Sequence, residues 1–246
     1  MKANRLLPIL ASLLAFLPVR GQNLQFHYDL GHALNSNLSN RPAVTTTIET
    51  FRPDTWGNTY FFADIDYFSD GVAGAYWEVS REVNVSANKQ WAAHVEYNGG
   101  LSSDKQLASA TRFQHAFLAG PAWNWHSQDF SRTFSVQAMY KYYFKGQYGG
   151  AFNSFQATAV WGLHFAQRLF TFSGFVDCWY NPQVKGKWIL LSEPQFWLNV
   201  NVLKGMDKVN LSVGSEVELS NNFVWNKHGN NSRFYAIPTL ALKWTF

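Results

Sequence analysis

Cysteine is nearly missing from this chain of 246 residues: Cys178 stands alone. No intrachain disulfide can form, and no metal site built on several thiolates is available. Charge is sparse, at 15% of residues, which excludes the solvated composition of a disordered chain and the charged heptads of a coiled coil. Long apolar runs are lacking apart from one at the N-terminus, so a bundle of membrane helices, each needing about 20 apolar residues, does not fit. Catalytic motifs are absent too: there is no G-x-S-x-G elbow and no H-E-x-x-H pair. His27, His32, His94, His115, His126, His164 and His228 are scattered without ligand spacing. No metal and no cofactor is therefore expected.

The one apolar run is Leu6 to Val19, preceded by Lys2 and Arg5 and followed by Arg20 and Gly21. That order reads as a secretory signal peptide over residues 1–21, cleaved after Gly21, with residues 22–246 as the exported domain. Lys2, Arg5 and Arg20 would leave with the signal, taking the 20 basic residues to 17 against 16 acidic ones. The mature chain then has no clustered basic face, and a nucleic-acid partner is not expected.

What the chain has in abundance is aromatic residues, 17% in all, set in a period-two pattern. Leu24-Phe26-Tyr28-Leu30, Phe61-Ala63-Ile65-Tyr67, Trp91-Ala93-Val95-Tyr97 and Phe134-Val136-Ala138-Tyr140 are each one apolar face of a strand. The opposite faces carry Gln25, His27 and Asp29; Asp64 and Asp66; His94 and Glu96; Gln137 and Lys141; Gln156 and His164; Glu216 and Glu218; and Lys243. Strands in soluble sandwiches usually run about five or six residues. Several here exceed ten, the length a tilted strand needs to cross an outer membrane.

The spacing predicts an all-β fold: a single antiparallel transmembrane β-barrel of outer-membrane type. About twelve strands are expected, at 24–34, 43–51, 58–68, 74–85, 91–98, 111–120, 132–145, 153–164, 168–180, 187–202, 208–219 and 233–246. With both termini on one side, the longer connections fall on the other. The 121–131 stretch breaks that rule. Tyr60, Trp91, Tyr97, Trp123, Trp161, Trp188 and Trp244 are placed in interfacial girdles. The last strand alternates Pro238, Leu240, Leu242 and Trp244 before Phe246. It resembles the closing strand of bacterial outer-membrane barrels, whose terminal aromatic residue is an address for the barrel-insertion machinery.

A more specific likeness lies in Y-F-F-A-D-I-D-Y-F at 60–68 followed by A-Y-W-E-V-S at 75–80. This hairpin resembles that of the Tsx-like nucleoside-specific channel-forming proteins. The resemblance covers under a tenth of the chain. It implies a narrow monomeric twelve-stranded barrel that binds nucleosides weakly as they pass, with Asp64 and Glu78 carried over as lumen-lining acids.

Alternation sends Asp64, Asp66, Glu78, Glu82, His94 and Glu96 inward as an acidic wall, faced by Gln137, Lys141, Lys145 and His164 as a more basic one. Opposed walls would set a transverse field that orients polar solutes. The same charges could instead pair and plug a small barrel. Phe62, Tyr76, Tyr143 and Trp197 also fall inward, and a base stacked on an aromatic face gains roughly 1–3 kcal/mol. Gln195 and Asn199 join the acids as candidate contacts to ribose hydroxyls or base edges. Asp64 with Asp66, and His94 with Glu96, could also be drawn as an acid-base set of a barrel hydrolase, though such pairs arise by chance in any charged lumen. The 220–232 loop could fold inward as a small constriction or cap the rim, and the rim is favoured. A passive, selective channel for small polar solutes, nucleosides leading, in the outer-membrane lipid is the function expected. A structural or adhesion barrel with a plugged lumen is the alternative, and catalysis is not expected.

Overall fold

A computed structural model describes residues 21–104, 109–147 and 149–246. Residues 1–20 of the expected signal peptide lie outside these, as does the 105–108 tip of the predicted 99–110 loop. The described strand segments are β1 (Gln22–Asp29), β2 (Val44–Pro53), β3 (Gly57–Phe68), β4 (Gly71–Asn84), β5 (Trp91–Asp104), β6 (Ser109–Arg112), β7 (Ala116–His126), β8 (Arg132–Tyr143), β9 (Phe152–Phe165), β10 (Phe170–Tyr180), β11 (Trp188–Ser192), β12 (Gln195–Asn199), β13 (Leu211–Asn221) and β14 (Phe234–Thr245). β6 and β7 share the partner β5, and β11 and β12 share the partners β10 and β13. Each couple is one interrupted strand, so the wall is a twelve-strand antiparallel barrel. The ladder from Asn23↔Thr245 to Asp29↔Thr239 closes it.

The pleat sorts side chains between two environments. On β14, Phe234, Leu240, Leu242 and Trp244 are exposed on the outside, whereas Tyr235, Ile237, Thr239 and Ala241 are buried within. The exposed outer set continues round the wall through Phe26, Val95, Phe117, Phe134, Phe155, Phe196 and Val213. Such a continuous apolar exterior suits hydrocarbon, and ring closure satisfies the backbone there. Trp91, Trp188 and Trp244 sit exposed near strand ends, as girdle residues do. Tyr60 does not: it lies on the inner face, ring to ring with Phe62 at 5.9 Å. Its parity is that of Asp64, two pleats along, and this overrides its position near a strand end.

Three strands differ from expectation, each for a local reason. β1 stops at Asp29, because the Asp29 carboxylate accepts the Gly31 amide at 2.5 Å and turns the chain into a single helical turn, α1 (Gly31–Leu34). β5 runs on through Gly99 and Gly100. The inward space left by Gly100 is taken by the Phe113 ring, which a Cβ would strike. β7 continues to His126 through Pro121, so the expected 121–131 connection shrinks to residues 127–131. The β7–β8 ladder skips Gly120 and Pro121, as a residue without an N–H requires. A similar gap at Glu193 and Pro194 divides β11 from β12 while the register with β10 is kept. In the 54–56 turn, the Arg81 guanidinium and the amides of Trp56 and Gly57 hold the Asp54 carboxyl down at about 2.

Leu240→Arg places a charge on the apolar exterior, and the expected cost is about 2–4 kcal/mol of stability in lipid vesicles if the site lies near the bilayer midplane. Thr239→Arg, one pleat away and inward, is expected to escape that particular penalty. Denaturant titration of vesicle-folded protein measures both.

Candidate functional site: an off-centre, acid-lined lumen

The interior is not uniformly open. Along β8, β9 and β10 the inward side chains Gln137, Met139, Lys141, Tyr143, Ser154, Gln156, Thr158, Thr171 and Trp179 are all buried. Leu118, Met139, Tyr143, Trp179 and Ile189 form an apolar cluster there, joined by Val184 from the 181–187 connection. On β2, β3 and β4 the inward side chains Thr45, Thr47, Glu49, Tyr60, Phe62, Asp64, Asp66, Tyr76 and Glu78 all keep partial exposure. The β8–β10 side is therefore tightly packed around Met139, Tyr143 and Trp179, whereas the β2–β4 side, together with Ser135, Val160 and Asp177, keeps exposure.

Apart from Lys145, the candidate residues read from the sequence lie on the inner face. Asp64 accepts from Thr47 Oγ1 at 2.5 Å and Asp66 from Thr45 Oγ1 at 2.6 Å. Tyr76 donates its hydroxyl to Glu78 at 2.5 Å. The rings of Tyr60, Phe62, Tyr76 and Phe113 follow one another at 5.9, 6.0 and 6.3 Å, tilted by 48 to 55°. Gln195 donates to Glu216 at 2.6 Å and receives the Trp197 indole N–H at 3.0 Å. Asn199 bridges Thr171 and Ser212 near the end that carries the termini. Lys141 is taken up locally: it donates to Gln156 at 2.7 Å and lies 5.1 and 4.9 Å from the rings of Tyr143 and Trp179.

Glu82, His94 and Glu96 form a separate buried network. His94 Nδ1 lies 3.2 Å from Glu82, and its Nε2 lies 3.2 Å from Glu96. Glu82 also accepts from Asn58 at 3.0 Å, Asn124 at 2.8 Å and Gln137 at 3.2 Å. One carboxylate thus ties β3, β4, β5, β7 and β8 across the inside of the wall. Both imidazole nitrogens of His94 are thus engaged by carboxylates, and the ring is buried. Among the described residues no group of three His, Cys, Asp or Glu side chains is gathered as a metal site.

The expected pair of opposed walls is not what the fold builds. Lys145 lies beyond the end of β8 and is exposed, and His164 bonds Thr171 at 2.8 Å near the terminal-side end. Acids occupy both sides instead. Asp177, Glu193, Glu216 and Glu218 keep partial exposure on β10–β13 and share the lumen with Glu49, Asp64, Asp66 and Glu78. Lys243, 4.1 Å over the Trp197 ring, is a cation among them. The alternation that located Asp64 also marks Glu216 and Glu218. Asp177 is hidden in sequence by its apolar flanks Phe175 and Trp179, and Glu193 by the strand break at Pro194.

Comparison with solved structures finds the same architecture. The chain is similar to NanC porin with a TM-score of 0.57 at 10% identity, covering 92% of this chain and 98% of that one. KdgM porin gives 0.50 at 9% identity, covering 92% and 99%. LpxR from Salmonella typhimurium gives 0.49 at 8% identity, covering 92% and 100%. The likeness to the two porins shows the fold alone, a porin-like β-barrel. A family described as a domain of unknown function (DUF5020) matches residues 21–246. No curated protein matches. The family whose model matches is DUF5020, and that match does not establish the Tsx-like resemblance of the 60–80 hairpin.

Glu82→Ala leaves its buried donors facing a void. A loss of about 3–5 kcal/mol in unfolding free energy is expected. Glu82→Gln retains one acceptor oxygen and a similar shape, so its loss should be smaller. Guanidinium titration of the two variants against the parent gives the order.

Proposed function

The chain belongs to the DUF5020 family, and with that and its barrel as premises we propose that it is an outer-membrane channel for passive diffusion of small polar solutes. It prefers cationic and neutral solutes to anions, and nucleosides are the leading class. The observation that carries this reading is the placement of carboxylates. Glu49, Asp64, Asp66, Glu78, Asp177, Glu193, Glu216 and Glu218 keep partial exposure in the interior with Lys243 and Arg41 as cations among them, whereas Lys141 and His94 are buried in local networks. In a narrow lumen with low-dielectric walls, such a set raises the local concentration of cations and repels anions.

Neutral nucleosides gain from the same wall. A base stacking on Phe62 or Tyr76 gains roughly 1–3 kcal/mol, and ribose hydroxyls can donate to Asp64 and Glu78 or pair with Gln195 and Asn199. These residues bind and orient; no bond is made or broken. The apolar exterior supports residence in outer-membrane lipid. The signal-like N-terminus and the aromatic closing strand support export and delivery by the barrel-insertion machinery. An adhesion role is less well supported, because the 30–43 and 222–233 connections pack inward rather than project. A hydrolase role is less well supported, because His94 is buried between Glu82 and Glu96.

Single-channel conductance of refolded protein in a planar bilayer tests the reading, with nucleosides and then simple sugars added at rising concentration. Nucleosides are expected to reduce the conductance and sugars to leave it unchanged. Asp64→Ala with Glu78→Ala should weaken that block while heat-modifiable folding persists. A folded barrel that never conducts would overturn the proposal, and a block that survives the double substitution would remove these two acids from it.

A further inference from the structure

The connection between β1 and β2 is longer than an antiparallel turn needs, and it is built into the barrel mouth. Gly31 rests on inward-facing Ile237, where a Cβ would meet the Ile237 side chain at 2.6 Å. Leu38, 1% exposed, packs with Val224 from the 222–233 connection and with Tyr235 and Ile237 of β14. The Lys227 amide donates to the Asn37 carbonyl at 2.9 Å, joining the two connections. The 222–233 segment therefore turns inward rather than capping the rim. Arg41 then fastens the β1–β2 connection to the wall. Its Nε donates to Asp29 at 3.0 Å and its Nη2 to Glu218 at 2.9 Å. Asp29 is on β1 and Glu218 on β13, so one guanidinium reaches across the inner face of β14. Asp66, on the accessible wall, also lies in its field.

A planar fork with two carboxylate partners fixes orientation in a way that a single contact does not. We propose that Arg41 is a specificity-determining latch at the loop-bearing mouth, holding the 31–41 segment as a constriction and offsetting the negative charge of Asp29, Glu218 and Asp66. This rests on the channel reading, because the width and charge of a mouth matter to selectivity only where solutes pass. The latched mouth limits the size of what enters and keeps cations from being held at the entrance. Without the guanidinium, the segment loses its tie to β13, and three carboxylates face the opening uncompensated.

Arg41→Ala, Arg41→Gln and Arg41→Lys, refolded as full mature barrels, test this with two independent readouts. The first is single-channel conductance with the cation-to-anion permeability ratio. The second is the rate at which chymotrypsin cuts the folded protein after Leu34 and Leu38, which needs no transport. For Arg41→Ala, conductance is expected to rise roughly twofold, with a higher cation ratio, and cutting to quicken about tenfold as the segment opens. Arg41→Lys keeps the charge without the fork, so its ratio should stay near that of the parent while cutting is intermediate. Should Arg41→Ala fail to fold, Arg41→Gln carries the same expectations. A neutral variant with parental conductance, ratio and cutting overturns the latch and leaves the channel standing. If neither parent nor variant conducts, the channel reading falls, and the specificity role falls with it. Parental cutting in that case overturns the tether as well.

Discussion

Seven residue pairs, from Asn23↔Thr245 to Asp29↔Thr239, join the first strand to the last, and that ladder leaves the wall no free edge among the described residues. In hydrocarbon an unpaired strand edge would cost several kcal/mol for each exposed polar group. Once the ring is closed, each wall residue has two destinations, and parity along the strand chooses between them. Leu240 and Leu242 face outward because Thr239 and Ala241 face inward. The interior chemistry is therefore tied to closure: slipping β14 by one residue would turn Lys243 to lipid and Leu242 to the lumen.

Closure alone would leave a symmetrical interior; side-chain volume makes it lopsided. Large residues at inward positions of β7, β8, β10 and β11, among them Leu118, Met139, Trp179 and Ile189, pack across the barrel and exclude water from that flank. The β2–β4 flank has threonines, carboxylates and tilted rings instead, and these leave accessible space. Buried polar groups pair locally, as Lys141 does with Gln156 on the filled side and His94 with Glu82 and Glu96 on β5 and β4. Carboxylates such as Asp64, Asp66 and Glu78 accept from neutral hydroxyls and keep partial exposure. The proposed preference for cations follows from which charges were neutralised by packing and which were not.

Much of this was legible in sequence because a barrel writes its inside and outside in alternate letters. The strand map survives with shifts of a few residues, except where β1 ends five residues early, where β5 runs six residues past its expected end, where the expected 111–120 and 187–202 strands are interrupted, and where the expected 121–131 connection is mostly strand. The inner-face positions of Asp64, Glu78, Gln195 and Asn199 follow from parity alone. What parity could not reveal is which inner-face groups meet. Glu82 gathers donors from four other strands, a closeness set by barrel curvature rather than by spacing. Tyr60 was misplaced because an aromatic residue near a strand end suits a girdle on composition. The Gly99–Gly100 pair looks like a turn until Phe113 fills the space beside it. The inward course of the 30–43 connection depends on Arg41 meeting Glu218, 177 residues away.

The central claim is that carboxylates outnumber cations along the accessible part of the lumen, where Arg41 and Lys243 offset only some of them. The most direct test is the reversal potential of the refolded protein in a planar bilayer held between unequal concentrations of potassium chloride. The account predicts a potential of the sign that marks cations as the more permeant ion, shrinking as Asp64→Asn and Glu78→Gln are added. A reversal potential of the opposite sign, marking anions as more permeant, would contradict it.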